Sequence, residues 1–207
     1  SFGNAEDVEK ALQFKPDIVI HLGNYSLSLN ATGIPEDDLR NLNDSVKLFE
    51  ACIRHQVSKI IFMSSGGKVY GITDHLPVTE SSPTNPLGSY GIMKLSIEKH
   101  LLSLSYYYGI GAVILRPSNA YGVRQSPFGA QGAMSILGWR ILHQEPITIW
   151  GSGEAVRDYV DVRDIAGFCC IAATRECSGV FNIGSGVGVS TNELVSALSE
   201  SLKVSPI

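Results

Sequence analysis

Three short runs of branched aliphatic residues govern what this chain can become: "PDIVIHLG" (16–23), "SKIIFMSS" (58–65) and "GAVILRPS" (111–118). None alternates apolar with polar residues, so each is expected to be a strand covered on both faces, as in a parallel sheet sandwiched by helices. Amphipathic helices fall between them. The first carries Leu39, Leu42, Val46, Phe49 and Ile53 at three-four spacing, with Pro35 and the acidic Glu36-Asp37-Asp38 marking its start. The second begins near Tyr90. Strand, helix, strand, helix, strand predicts an α/β fold with a doubly wound, Rossmann-like parallel sheet and right-handed crossovers.

Ligands of such sheets bind beyond the carboxyl ends of the strands. Here those ends are "GNYS" (23–26), "SSGGKVYG" (64–71) and "PSNAYG" (117–122), all small, polar or aromatic. After residue 120 glycine, proline and tryptophan become frequent, and "EPITIWGSGEAVRDYVDVRDIAG" (145–167) suggests short strands and loops. Two parts are therefore expected: residues 1–120 as part of a dinucleotide-binding domain, and 121–207 as part of a smaller mixed α/β substrate lobe interleaved with it. A dinucleotide site of this type opens with a strand, a Gly-rich turn and a helix that receives the pyrophosphate. Nothing before "PDIVIHLG" has that pattern, so the first βαβ unit reads as missing. "NIGSGVGVSTNEL" (182–194) offers G-x-G-x-G rather than G-x-G-x-x-G, which favours a tight strand-to-helix turn over a second phosphate cradle.

The formal net charge of −4 and the lack of a basic run argue against nucleic acid or an anionic membrane as partner. Apolar runs such as "IVIHL" and "FCCIAA" are too short to span a bilayer, and "SFGNAEDVEKAL" lacks a signal-peptide pattern. Cys52, Cys169, Cys170 and Cys177 show no metal-ligand spacing; they are expected to be reduced core thiols of a cytoplasmic protein, with no metal site.

The chemistry centres on "SYGIMKLSIEKHLLSLSYYYG" (89–109). At a helical period Tyr90, Met93, Ile97, Leu101, Leu104 and Tyr108 form one apolar stripe, while Ser96, Glu98 and Lys99 are expected to point elsewhere. Lys94 falls inside the stripe, one turn after Tyr90. The plainer explanation is a lysine snorkelling past a tyrosine at the core edge. The functional one is a phenol made acidic by a desolvated ammonium. To serve as a base near neutrality a phenol must drop from about 10 by about 2–3, which takes about 3–4 kcal/mol of preferential phenolate stabilisation. "KIIFMSSGGKVYG" places a hydroxyl at the end of the neighbouring strand; alone it is a common Ser-Gly turn, but a Ser–Tyr–Lys set is much less easily accidental.

The sequence resembles the extended short-chain dehydrogenase/reductase group, within it the NAD-dependent nucleotide-sugar epimerase/dehydratase family and its UDP-glucose 4-epimerase-like members. The resemblance runs along essentially the whole chain, in "PDIVIHLG", "NLNDSVKLFEA", "KIIFMSSGGKVYG", "LPVTESSPTNPLGSYGIMK", "LRPSNAYG", "ITIWGSGEAVRDYVDVRDIA" and "FNIGSGVGVSTNEL". It implies NAD as cofactor and a nucleotide-diphosphate sugar as substrate, epimerised at C4 through a transient 4-keto sugar. By position it implies that Tyr90, Lys94 and Ser65 are catalytic. Leu22, Gly23, Asn24, Ser26, Asn41, Ser64 and Pro117, with Tyr90 and Lys94, would contact the cofactor. Asn119, Met134, Thr148, Trp150 and Arg157, with Ser65, would contact the substrate. Arg157 suits a diphosphate because its guanidinium is a fork of donors; the plainer alternative pairs it with Asp158 or Asp161. The resemblance also implies a homodimer formed through the helices of 36–55 and 88–108.

The sequence departs from the family pattern in places. Counting back from "VYG" puts Gly66 at the catalytic hydroxyl position, whereas counting forward from Val57 puts Ser65 there. A buried parallel strand fixes register more firmly than a glycine loop, which favours Ser65 with Ser64 behind it. Asp44 stands where glycine is usual, and Met93 where a small polar residue is common. Two rivals to epimerisation follow. A dehydratase or decarboxylase would need acidic groups directly after the catalytic hydroxyl, where this chain has Gly66 and Gly67. A non-catalytic dinucleotide-fold binding module would not need the Ser–Tyr–Lys set.

Overall fold

A computed structural model describes residues 1–25, 36–129 and 131–207. Two compact units emerge, Ser1–Pro117 with Gly167–Ile183, and Ser118–Ala166 with Gly184–Ile207. The boundary expected at 120/121 thus falls at 117/118, and the chain returns to the first unit at 167. The return has a physical cause: it supplies a strand to the parallel sheet.

In the first unit helix α1 (Ala5–Leu12) leads into strand β1 (Ile18–His21). Helix α2 (Glu36–Arg54), strand β2 (Lys59–Met63), the single-turn helix α3 (Gly66–Val69), helix α4 (Ser89–Tyr108) and strand β3 (Gly111–Pro117) follow. Strands β4 (Asn119–Tyr121) and β5 (Val156–Asp161) and helix α5 (Ala133–Leu142) belong to the second unit. Helix α6 (Val162–Thr174) carries the chain back into the first, where strand β6 (Gly179–Ile183) pairs with β3. Strand β7 (Gly188–Ser190) and helix α7 (Thr191–Leu202) complete the second.

The three runs that read as parallel strands are β1, β2 and β3, in a sheet of order β1-β2-β3-β6 with every pairing parallel. Ile60, Ile61 and Phe62 of β2 and Ala112 to Leu115 of β3 are buried, as expected of inner strands. β1 differs. It lies at the edge of this sheet, and Ile20 is 42% exposed, so cover on both faces does not hold there. α1, α2 and α4 pack on one face around Phe49, Cys52, Ile60, Phe62, Met93, Ile97, Leu101 and Ile114. Lys59 ties α6 to the sheet by donating to the carbonyls of Ala172 (3.0 Å) and Arg175 (2.6 Å) just at the helix end.

Two helix faces depart from the pattern expected of them. On α2 the buried residues are Asp38, Asn41, Asp44, Ser45, Leu48, Phe49, Ala51 and Cys52, whereas Leu39 is 57% exposed and Leu42 and Val46 are half-buried. The apolar stripe is rotated outward in the first half of the helix because polar groups there have partners inside: Ser45 hydrogen-bonds His21 Nε2 at 2.8 Å and Asn41 accepts from the Tyr25 amide at 2.9 Å. On α4, Glu98 is fully buried rather than pointing away, and Tyr108 is 65% exposed. Glu98 lies one turn after Lys94, and a buried arginine from β3 receives it (Arg116, 4% exposed). α4 stops at Gly109, whose φ of 71° is left-handed and cheap only for glycine, its amide bonding the Ser105 carbonyl. The cysteines also divide: Cys52 and Cys169 are buried, but Cys170 is exposed and Cys177 intermediate. Burial pushes the Cys52 thiol up to about 12.

In the second unit β4 runs parallel to β5, and β7 antiparallel to β5. "VRDIAG", expected among strands and loops, begins α6 instead. α7 starts with a capping box: the Ser190 hydroxyl accepts from the Glu193 amide and Glu193 accepts from the Ser190 amide at 2.7 Å.

Candidate active site

The carboxyl end of β2 puts two serines in different environments. Ser64 is buried, its amide bonds the Leu115 carbonyl, and its hydroxyl donates to Glu98 Oε1. Its side chain is thereby committed to the interior. Ser65, the next residue, is half-buried and stands at the N-cap of α3 without a side-chain cap bond. Gly66 settles where a hydroxyl can sit: a Cβ there would lie 2.9 Å from the Arg116 carbonyl oxygen and 3.1 Å from that of Pro117. Backbone cannot give way as a side chain can, so residue 66 has no room for a side chain of any kind. At Gly67 a Cβ would meet nothing within 4 Å.

These contacts separate the two serines in a measurable way. Ser65→Ala is expected to lower kcat with an unchanged denaturation midpoint. Ser64→Ala is expected to lower stability by about 1–3 kcal/mol, because it strips a donor from a buried carboxylate. A larger kcat loss at Ser64 than at Ser65, compared at equal folded fraction, would reverse the assignment.

Tyr90 and Lys94 stand on the first turns of α4. Lys94 is 5% exposed, and its Nζ donates to the Met63 carbonyl at 3.0 Å, lies 4.9 Å from the Phe62 ring centroid and 5.7 Å from that of Tyr90. A snorkelling lysine would reach solvent; this one ends inside, at the carboxyl end of β2. Burial lowers its value to about 8, while the carboxylates of Glu98 and Asp38 work the other way. Tyr90 is half-buried, and its phenol sits above the ordinary value, first because of burial and second because of Asp38. The expected acidification by Lys94 is therefore not a property of the chain by itself: Tyr90 rests as a neutral phenol.

The residues that directly follow β1, 22–25, are pinned rather than loose. Asn41, 1% exposed on α2, accepts from the Tyr25 amide; the Tyr25 ring stacks on Phe2 with centroids 4.6 Å apart and lies 4.3 Å under the Arg40 guanidinium. Leu22 is 61% exposed, Asn24 is exposed, and Gly23 packs so closely on Phe2 that a Cβ would come within 2.6 Å of it. Ser26 lies outside the described residues. Pro117 closes β3. Leu22, Gly23, Asn24, Asn41, Ser64, Ser65, Tyr90, Lys94 and Pro117 thus all belong to the first unit. This set fits a dinucleotide: a held stretch at 22–25 beyond the strand end, and a lysine that engages one carbonyl and keeps further N–H groups.

Asn119, Met134, Thr148, Trp150 and Arg157 all belong to the second unit. The Asn119 amide donates to the Asp158 carbonyl at 2.9 Å, and Met134 is half-buried in the first turn of α5. Thr148 is exposed and Trp150 is 91% exposed. Arg157 is exposed and donates to its neighbour's carbonyl, Val156 O, at 2.7 Å. Neither acidic residue offered as its partner takes it. Asp161 pairs with Arg163 at 2.7 Å, and Asp158 accepts from the Ser118 and Ser185 hydroxyls (both 3.0 Å) and from the Ser185 and Gly186 amides (both 2.9 Å). The last contacts also decide the "GSG" turn. Its amides enclose an internal carboxylate, so it is a turn and not a phosphate cradle. Burial opposes the Asp158 charge, but those donors outweigh it and hold the carboxyl below its usual range.

Sequence reasoning missed Asp38, Glu98, Arg116 and Tyr70. Arg116 grips Glu98 twice (Nε–Oε1 3.0 Å, Nη2–Oε2 2.5 Å) and donates to the Tyr70 hydroxyl at 2.8 Å, which donates to Asn182 at 2.7 Å. The available signal was the one-turn spacing of Glu98 after Lys94, together with a lone arginine in an otherwise apolar strand.

The chain is similar to known proteins over most of its length. UDP-glucose 4-epimerase of Thermotoga maritima, solved with UDP-glucose, matches with a TM-score of 0.93 and 34% identity, over 100% of this chain and 69% of that one. UDP-glucose 4-epimerase of Thermus thermophilus, solved with NAD, gives 0.90 and 32%, over 100% and 68%. UDP-glucose 4-epimerase of Mycolicibacterium smegmatis is 34% identical over 189 residues, 90% of this chain and 60% of its own length. The chain spans about three fifths of the length of the curated relatives it matches. The model of the NAD dependent epimerase/dehydratase family matches residues 2–184. With the parallel sheet, the buried lysine one turn from Tyr90 and the serine at the end of β2, that match places the chain in the NAD dependent epimerase/dehydratase family.

Proposed function

We propose that this chain carries the reacting groups of an NAD-dependent nucleotide-sugar 4-epimerase, with a UDP-sugar as substrate. One observation carries the reading: Lys94 is buried beside Tyr90 at the strand end where Ser65 presents a hydroxyl not used to cap α3. Relatives named as UDP-glucose 4-epimerases, solved with UDP-glucose or NAD, support the choice of substrate and cofactor.

Lys94, Asn41, Pro117 and the 22–26 loop would hold NAD, with Ser64 able to offer only its backbone. When bound, NAD supplies a hydride acceptor and donor for sugar C4 and a positively charged ring. Tyr90, once its own proton has passed to solvent, would be the phenolate that takes the proton of the C4 hydroxyl and returns it after the sugar has turned over. The Lys94 ammonium favours the phenolate form during that transfer, opposing the burial that keeps the resting phenol neutral. Ser65 holds the sugar oxygen. Arg157 clamps the diphosphate, and Asn119, Met134, Thr148 and Trp150 bind the nucleotide, so that the sugar can rotate without leaving.

Dehydration is disfavoured by Gly66, where no acidic side chain fits. The test is conversion of UDP-glucose to UDP-galactose by the full-length protein, followed by proton NMR. Formation of a dehydrated 4-keto product, or no turnover with NAD bound, would overturn the reading.

A homodimer belongs to the same proposal. The outward stripe of α2 (Leu39, Leu42, Val46) and exposed Ile92 on α4 give apolar cover to the helices of 36–55 and 88–108. Sedimentation measures it directly, a monomer counting against it. A cytoplasmic setting suits a nucleotide-sugar enzyme; among the described residues no helix is long and apolar enough to cross a membrane.

A further inference from the structure

A hydroxyl that holds a sugar oxygen must itself be held, and Ser65 has little of its own to hold it. It stands at the N-cap of α3, a single turn of four residues, without a side-chain cap bond. Within that turn the amides of Lys68 and Val69 reach the Ser65 carbonyl at 3.4 and 3.2 Å. So short a helix is not stable by its own hydrogen bonds. What fixes α3 has to come from its surroundings.

Three contacts do so, all within the first unit. At its start, Gly66 rests on the Arg116 and Pro117 carbonyls at a distance no side chain permits. In its middle, the Lys68 carbonyl oxygen would lie 2.8 Å from a Cβ at Gly91, so the turn of α4 next to Tyr90 rides directly on α3. At its end stands Tyr70, 3% exposed. The Tyr70 hydroxyl accepts from Arg116 Nη1 at 2.8 Å and donates to Asn182 Oδ1 at 2.7 Å. Arg116 and Asn182 stand opposite each other in the β3–β6 register, so one phenol bridges a pair of the sheet. The first two contacts are steric and only limit approach. The third is directional, and it ties α3 down.

We infer that Tyr70 is a positioning residue for Ser65: its hydroxyl holds α3 on β3 and β6, and through that turn sets where the Ser65 side chain stands against the first turn of α4. It acts through the turn and not on the substrate. The catalytic meaning of this rests on the proposed epimerase reading; the anchoring of α3 does not. A hydroxyl can accept from Arg116 and donate to Asn182 at once, whereas a phenyl ring can do neither. A displacement of about 1 Å at a reacting group can cost on the order of 10²-fold in rate, so a loosened turn shows in turnover before it shows in the fold.

The test uses the full-length protein and Tyr70→Phe, which keeps the ring and removes both bonds of the hydroxyl. Amide hydrogen exchange, read by mass spectrometry, should rise about tenfold in 64–71, as loss of a hydrogen bond gives, and stay unchanged in 92–104 of α4. With UDP-glucose, kcat should fall about tenfold and KM should barely move, because the nucleotide is held elsewhere. In a Ser65→Ala background the same substitution should cost less than about twofold, since the group it positions is gone. A merely structural residue would lower both backgrounds alike. Equal losses in the two backgrounds overturn the inference, and so does unchanged exchange in 64–71. Should Tyr70→Phe not fold, Asn182→Ala removes the acceptor of the phenol and leaves the Arg116 bond in place; the same two results then decide. A wild type that binds NAD without turning over sinks the epimerase reading alone, and the exchange measurement still decides whether Tyr70 holds the turn that carries Ser65.

Discussion

Tyr90→Phe is expected to lower kcat by about 10²–10⁴-fold, the range a positioned general base contributes, while fold and cofactor binding stay close to wild type. The phenol body is half-buried against the core cluster, and phenylalanine keeps that contact. Only the hydroxyl is lost. Removing it also relieves burial of a polar group that Asp38 disfavours in its ionised form, so the melting temperature should hold or rise slightly. The measurement is epimer interconversion at saturating substrate, with circular dichroism and NAD titration on the same preparation. Retention of more than about a hundredth of the wild-type rate would remove Tyr90 from the role of base. Loss of rate with loss of helix signal would not support that role either; it would show that the hydroxyl matters for packing.

The strands were legible because a parallel sheet demands apolar residues on both faces, and β2 and β3 satisfy that demand residue by residue. The Tyr90–Lys94 pair was legible as an anomaly: an ammonium on a face that should be apolar. The same rule misplaced Glu98. Periodicity counts any charge as outward-facing, yet a charge is buried where a partner from another element meets it, and Arg116 comes from a strand 18 residues further along. α2 misled for a related reason. Its inner face is polar over Asp38, Asn41, Asp44 and Ser45, each engaged by another group of the chain, so its aliphatic residues appear on the outer side. Leu39, Leu42 and Val46 looked like core because nothing local marks an apolar stripe as facing outward. The direction of the Tyr90 shift was not legible either. It depends first on how far the fold buries the phenol, and then on Asp38, far earlier in the chain, reaching the first turn of α4.

The same buried pair carries the largest stability effect. Arg116→Met is expected to destabilise the fold by about 3–5 kcal/mol, the cost of removing one partner from a buried ion pair. Against the roughly 5–15 kcal/mol that holds a domain together, that is a large fraction. Glu98 would keep the Ser64 hydroxyl but lose both guanidinium bonds, at a site where Arg116 and Glu98 side chains are 4% and 1% exposed. Tyr70 would still have Asn182 as its acceptor, so the penalty concentrates on the carboxylate. The double variant Glu98→Leu/Arg116→Met removes both charges and should recover most of the loss, because apolar replacement of a buried pair is often close to neutral. A deficit of about 1 kcal/mol should persist, since Ser64 then has no acceptor. Urea denaturation at unchanged m reads each step. If Arg116→Met costs under about 1 kcal/mol, the pair behaves like a solvent-exposed bridge and does not organise the end of β2 against α4.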